Sequence, residues 1–339
     1  MAIISDKKRI SWIDMAKGYG IVFVILEHMG TCSLGTWIRT FHMPLFFFLS
    51  GYVFSAKDSF PVFVRKKFKS IIVPFFLLGI PMLLFELVPQ MIDGSFSLSS
   101  LELVVNYVIQ RRIWNMWYLT CLFLLNILFY FLNKRCVSEF RLGVVCVGLT
   151  VLGLLYACFV GIALPWNIDV VPIAVLFFFL GYYCKLHPDR IPMKVTSGKS
   201  AIIVFIILGI VNVASGYLSL QISGSVLDMS TSTYGFIPLT FLSAFAGIIC
   251  VIIAAKAFTF QPVKYIGENS LLYYAWHQII MFPISRRILS TIGLNISASA
   301  GLAKTIIYKA AMLIIVILLS TICNMIIKNT KLKFMLGKW

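Results

Sequence analysis

Apolar stretches close to twenty residues long recur through almost the whole chain, and this repetition limits the fold more than any other feature. A helix needs about 20 residues to cross the ~30 Å hydrocarbon core of a bilayer. Ten such stretches are legible, at 10–30, 37–56, 70–89, 113–132, 142–163, 168–186, 200–219, 234–257, 266–285 and 305–327. None alternates apolar and polar residues with the period of two that a membrane barrel needs, so helical spans are expected. Only 12% of the 339 residues are charged and 60% are hydrophobic, where a soluble domain carries about 25% charge. The expected fold is an all-α polytopic membrane protein of about ten transmembrane helices. It is expected to form a single domain over residues 1–339, without a separate soluble domain.

The net charge of +17 would suit a nucleic-acid binder, but its placement points elsewhere. With the N-terminus set in the cytoplasm, 21 of the 29 basic residues fall on the cytoplasmic side of the ten stretches and seven on the other. Lys17 lies inside the first. Such a bias in short loops is the positive-inside signal, and an even number of spans then puts both termini in the cytoplasm. The Lys7-Lys8-Arg9 opening resembles a signal peptide, yet the run after it carries Asp14, Lys17 and Glu27 and no clear small-x-small cleavage pattern. It is expected to be retained. The eight cysteines mostly sit inside apolar stretches without paired spacing and are expected as small core residues, with no metal site. Among the outward loops, 218–233 is rich in Ser, Thr and Gly, which suits either an ordinary connection or a loop near a hydrophilic substrate. His187 is expected as a solvated loop residue.

Ionisable groups inside a span are expensive and usually face a cavity or pathway. The first span carries Asp14, Lys17, Glu27 and His28. Lys17 and His28 are separated by about 16 Å along a helix axis, so they lie at two depths. Asp14 and Lys17, three apart, share a face and can pair. Gly18 and Gly20 allow close approach of another helix or a ligand. Imidazole is the side chain best suited to general-base work near neutral pH. Glu27 points about 100° away around the helix and is not expected to orient His28 directly. A structural ion pair with a packed histidine is the alternative.

Three further strings accompany this one. Phe41-His42-Met43-Pro44 through Ser50-Gly51 puts His42 near the outer end of the second span, at a depth close to that of His28. Arg65-Lys66-Lys67-Phe68-Lys69 precedes Pro74 and is either a topology signal or a phosphate clamp. Asn269-Ser270 is expected to cap the ninth span, with Tyr273 and His277 four apart on one face. A core histidine fits His277 as well as a functional one.

Taken in order, Asp14-x-x-Lys17-Gly18 … His28, Phe41-His42-Met43-Pro44 … Gly51, the basic cluster before Pro74, Trp117-Tyr118-Leu119 and Ser270 … Tyr273 … His277 resemble the acyltransferase-3 family of bacterial membrane acyltransferases, particularly its fucose-O-acetylase-like branch. The resemblance spans essentially the whole chain. The family's Arg/Lys-x10-His signature corresponds to Lys17 and His28. Its cytoplasmic Arg-x-Arg element would correspond to Lys67 and Lys69, where lysine lacks arginine's bidentate fork. An appended extracytoplasmic SGNH hydrolase domain, present in some relatives, is not expected here.

The resemblance implies transfer of an acetyl group from cytoplasmic acetyl-CoA to a hydroxyl of a glycan or lipid-linked sugar, in a bacterial inner membrane. His28 would be the general base, with Lys17 and Asp14 beside it in the catalytic set. Lys66, Lys67 and Lys69 would hold the phosphates of CoA. His42, Glu27, Tyr273 and His277 would face the acceptor, and an acetyl-histidine intermediate stays open. His28, His42 and His277 are expected to share one polar cavity. A transporter or flippase for a polar substrate is the competing reading, weakened by the absence of a visible internal repeat.

Overall fold

The computed structural model describes residues 9–30, 32–189, 199–296 and 301–337. Lys7, Lys8, the Ile191-Pro192 pair and Lys338 lie outside these residues. The described chain is helical from end to end, with one isolated β-bridge between Asp228 and Thr233. Seven helical segments are long and apolar enough to cross a membrane: Phe60–Ile92, Leu98–Arg135, Glu139–Phe159, Pro165–Leu186, Lys199–Ser223, Ile237–Ala257 and Leu302–Lys328. Ten were expected. The three remaining stretches are helical too, but they are polar or broken.

The first is α1 (Ser11–His28), with Asp14, Lys17 and Glu27 in 18 residues. The second is α2 (Cys32–Tyr52), which carries Arg39 and His42 and runs on through Pro44. Ahead of the third come α3 (Phe60–Lys67), α4 (Val73–Ile92), α5 (Leu98–Ile109), α6 (Trp117–Arg135) and α7 (Glu139–Phe159). They are followed by α8 (Val171–Leu186), α9 (Lys199–Ser223) and α10 (Ile237–Ala257). The expected ninth span then divides into α11 (Gln261–Glu268), α12 (Ser270–Trp276), a π turn (His277–Met281) and α13 (Phe282–Thr291). The last long helix is α14 (Leu302–Lys328). Asn269 does not cap α12 through its side chain; its amide donates to the Tyr265 carbonyl at 2.9 Å.

Two π turns have the same local cause. In each the amide just past the turn bonds five residues back, Val73 to Phe68 and Phe282 to His277, and the next residue is Pro74 or Pro283. A proline ring clashes with the carbonyl four residues earlier, and widening the turn by one residue relieves that clash. One turn carries Lys69 and the other begins at His277.

Close helix contacts are made at glycines. A Cβ on Gly18 would lie 2.0 Å from the Val263 carbonyl oxygen, and one on Gly267 would lie 1.7 Å from that of Asp14. The backbones of α1 and α11 therefore touch, so helix contact is the use made of Gly18. Gly51 and Gly181 do the same for α2 and α8, where an added Cβ would lie 1.9 Å from the carbonyls of Phe178 and Phe48. α1 packs on α2, α10 and α11, and α2 on α8 and α10, so the two polar helices occupy the centre.

Cys121, Cys136, Cys146, Cys158, Cys184, Cys250 and Cys323 are free thiols, and Cys158 is exposed where a core residue was expected. His187 is not simply solvated: at the end of α8 its Nε2 lies 2.5 Å from Glu139 of α7.

Candidate active site

α1 and α2 form an antiparallel pair, with Trp12 against Tyr52 at one end, ring centroids 4.9 Å apart. At the other end lies a cavity of about 310 Å³. Its walls carry Val24, Glu27 and His28 from α1, and Arg39, His42 and Met43 from α2. Trp114, Asn115, Trp117, Tyr274, Gln278 and the loop residues Asp228, Met229 and Ser230 complete them.

His28 and His42 line this cavity, whereas His277, expected to share it, is buried outside its wall against the His28 ring; the three have a common local geometry. His28 Nδ1 donates to the Val24 carbonyl at 2.9 Å, His42 Nδ1 to Ile38 at 3.0 Å, and His277 Nδ1 to Tyr273 at 3.1 Å and Tyr274 at 2.8 Å. Each ring thus carries its proton on Nδ1 and keeps Nε2 as the lone-pair nitrogen. His28 and His277 are in contact, with ring centroids 5.0 Å apart at 71°. His277 is fully buried, and among the described residues its Nε2 has no hydrogen-bond partner.

Glu27 corrects the sequence expectation. Its Oε2 lies 2.9 Å from His28 Nδ1, so it does contact and orient that ring. The 100° offset between neighbours holds for Cβ directions on a regular helix. These two residues close α1, where the long glutamate side chain folds back around the helix end. Glu27 Oε1 is held in turn by Arg39, through Nε at 2.8 Å and Nη2 at 2.5 Å. The chain Arg39–Glu27–His28 is that of a base oriented by a carboxylate, which is itself fixed by a cation. Arg39 drew no attention in the sequence beyond its charge.

Arg39 also reaches Asp228 at 3.6 Å, which ties it to the loop before α10. The Ser- and Thr-rich segment there is an ordered part of the cavity wall. Arg112 pins it, donating to the Met229 carbonyl at 3.2 Å and to Ser232 at 2.5 Å while paired with buried Asp169. Around this network gather six non-glycine residues with positive φ: Gln110, Arg112, Trp114, Trp166, Asn167 and Ser232, between 44° and 59°. Such backbone costs of order 1–3 kcal/mol per residue, and it persists where the surroundings over-determine it, as at binding sites.

The structure separates the other sequence candidates from this cavity. Asp14 pairs with Arg9 at 3.2 Å and not with Lys17, because Arg9 also anchors on the Glu268 carbonyl and brings its guanidinium over the start of α1. Lys17 is partly buried and lies outside the cavity wall. The Tyr273 hydroxyl turns to Thr321 of α14 at 2.6 Å, and its neighbour Tyr274 lines the cavity instead. Tyr274 donates to the Asn115 carbonyl, and the Asn115 amide donates to that of Tyr274.

Lys66 and Lys67 stand at the opposite end. Trp117 lines the cavity, whereas Tyr130, about 20 Å further along α6, packs on Phe63 of α3 with centroids 4.8 Å apart. Lys66 pairs with Asp58 at 2.8 Å, and Lys67 lies over Phe63 at 5.5 Å. Lys69 sits in the π turn beside Phe68, whose ring meets Phe123 of α6. Among the described residues no group of three His, Cys, Asp or Glu side chains is placed to hold a metal.

A family model described as an acyltransferase domain, that of acyltransferase family 3, matches residues 10–325. The chain belongs to that family. No curated protein and no solved structure matches it. Family membership and the apolar helices together describe a multi-pass membrane acyltransferase.

Proposed function

We propose that the protein is an O-acyltransferase that moves an acetyl group from acetyl-CoA to a hydroxyl of a glycan or lipid-linked sugar. The observation that carries this is the Arg39–Glu27–His28 chain in the wall of a polar cavity. His28 Nε2 takes the proton of the acceptor hydroxyl as its oxygen attacks the thioester carbonyl. The C–S bond then breaks, and the imidazolium returns the proton to the departing CoA thiolate. Glu27 holds the ring in the Nδ1–H tautomer and balances the charge that forms on it.

Donor phosphates bind at the far end, against Lys66, Lys67 and Lys69, in the manner of point charges. The pantetheine arm runs past Lys17 to His28, a path of about 16 Å along α1. In this proposal α1, α2 and the α12–α13 unit complete ten crossings of a bacterial inner membrane, with both termini cytoplasmic. These three elements are polar because their polar side chains turn inward: Glu27, His42 and His277 are all buried. The likeness to the fucose-O-acetylase branch belongs to the same proposal.

The test is a transfer assay in proteoliposomes with radiolabelled acetyl-CoA and a panel of oligosaccharides. Label is expected on a sugar, with release of one CoA thiol per acetyl transferred. Sugar movement without thiol release would identify a transporter and overturn the proposal.

A further inference from the structure

Next to the first cavity, at the C-terminal end of α1, a second one of about 700 Å³ opens between α1, α13 and α14. Its size is within the range of small-molecule sites. Met29 and Gly30, which follow His28 directly, form one side. The other sides carry Arg286, Ser290, Asn295, Thr305, Tyr308 and Lys309, and among the described residues no carboxylate lines it. Among the described residues Arg286 forms no ion pair or hydrogen bond, and Lys309 donates only to the Gly30 carbonyl, at 3.2 Å. Two cations among neutral hydrogen-bonding groups, without a carboxylate, leave positive charge uncompensated in a concave site.

We propose that this cavity is a phosphate-binding subsite for the acceptor, so that the sugar modified at His28 is one that carries a phosphate group. The inference rests on the acyl-transfer proposal. An arginine fork and a lysine point charge are the usual partners of phosphate oxygens, and the hydroxyl and amide groups supply further donors. Successive Cα atoms are about 3.8 Å apart, so Met29 keeps this subsite adjacent to His28. One small molecule can then place its phosphate on Arg286 and Lys309 and its hydroxyl on the base. An anionic phospholipid headgroup has the same chemistry, and the experiment separates the two sources.

The full chain is placed in phosphatidylcholine nanodiscs and titrated with inorganic pyrophosphate by calorimetry. Saturable binding is expected, and R286Q/K309Q should weaken it by at least about tenfold, the loss expected for one charge-assisted hydrogen bond. Arg286→Lys should fall between the two, since it keeps the charge and loses the fork. Absence of saturable binding, or equal binding by the double variant, overturns the subsite. So does loss of pyrophosphate binding in nanodiscs containing phosphatidylglycerol, which would make the cavity a lipid-headgroup site. CoA release from acetyl-CoA by the wild-type chain in the same nanodiscs, with the oligosaccharide panel present as acceptor, tests the acyl-transfer proposal separately. Pyrophosphate binding without CoA release would support the anion site and overturn the acyl-transfer proposal.

Discussion

The Glu27 carboxylate serves two partners, accepting from Arg39 on one oxygen and from His28 on the other. Glu27→Gln keeps the size of the side chain and removes the charge that would balance an imidazolium. It is expected to lower kcat by about 10–100-fold, the usual cost of losing a group that orients a functional ligand or base, with little change in donor KM. Arg39→Lys keeps a cation but cannot present two N–H groups to Oε1, so a smaller loss is expected. Steady-state kinetics of the two variants check both. An unchanged kcat for Glu27→Gln would reduce the carboxylate to a structural anion. At this scale the sequence displayed the histidines through the cost of ionisable groups in a span. Arg39 and Asp228 stayed hidden, because a lone charge near a helix end or in a loop looks like an ordinary solvated residue. The Asp14–Lys17 spacing misled, since i,i+3 geometry permits a pair and Arg9 competes for the same carboxylate.

Helix contacts at glycine distinguish positions that look alike in the sequence. Gly267 faces the Asp14 backbone with no room for a methyl group, while nothing lies within 4 Å of a Cβ on Gly209 in α9. Gly267→Ala should destabilise the fold by about 1–3 kcal/mol or more, because backbone atoms cannot yield as a side chain would. Gly209→Ala should be neutral or gain up to about 1 kcal/mol from helix propensity. Unfolding temperatures in detergent rank them, and a Gly267→Ala protein as stable as wild type would contradict the packing of α1 on α11. The string Gly18-Tyr19-Gly20 already pointed to close approach. The π turns were not legible, because proline signals a disrupted turn without saying whether a kink, a break or a widened turn results.

Over the whole molecule, composition together with the length and missing period-two alternation of the apolar stretches announced a helical membrane protein, and those stretches correspond to helices. Three of the ten escape a test based on apolarity, and they are the elements that bring Glu27, His28, Arg39 and His42 into the cavity wall and His277 against His28. Function and span signal compete for the same residues, so a hydropathy reading is weakest where the site is. The separation of Lys66 and Lys67 from the cavity also operates at this scale. Replacing Lys67 and Lys69 with Gln should raise KM for acetyl-CoA several-fold more than KM for the acceptor, the pattern of lost binding without lost chemistry. The difference should shrink as salt rises, since exposed charges are screened over about 8 Å at physiological ionic strength. Equal donor KM values would make the cluster a topology signal alone.

The central claim is that His28 is the base, and the most direct measurement is the rate of acetyl transfer by His28→Ala. The variant removes an imidazole at the end of α1 without touching the glycine contacts, so insertion and unfolding temperature should match wild type. Transfer should fall by about 10²-fold or more, the usual contribution of a positioned base. A folded His28→Ala protein that keeps more than about a tenth of wild-type activity would contradict the account, because a positioned base contributes far more than that.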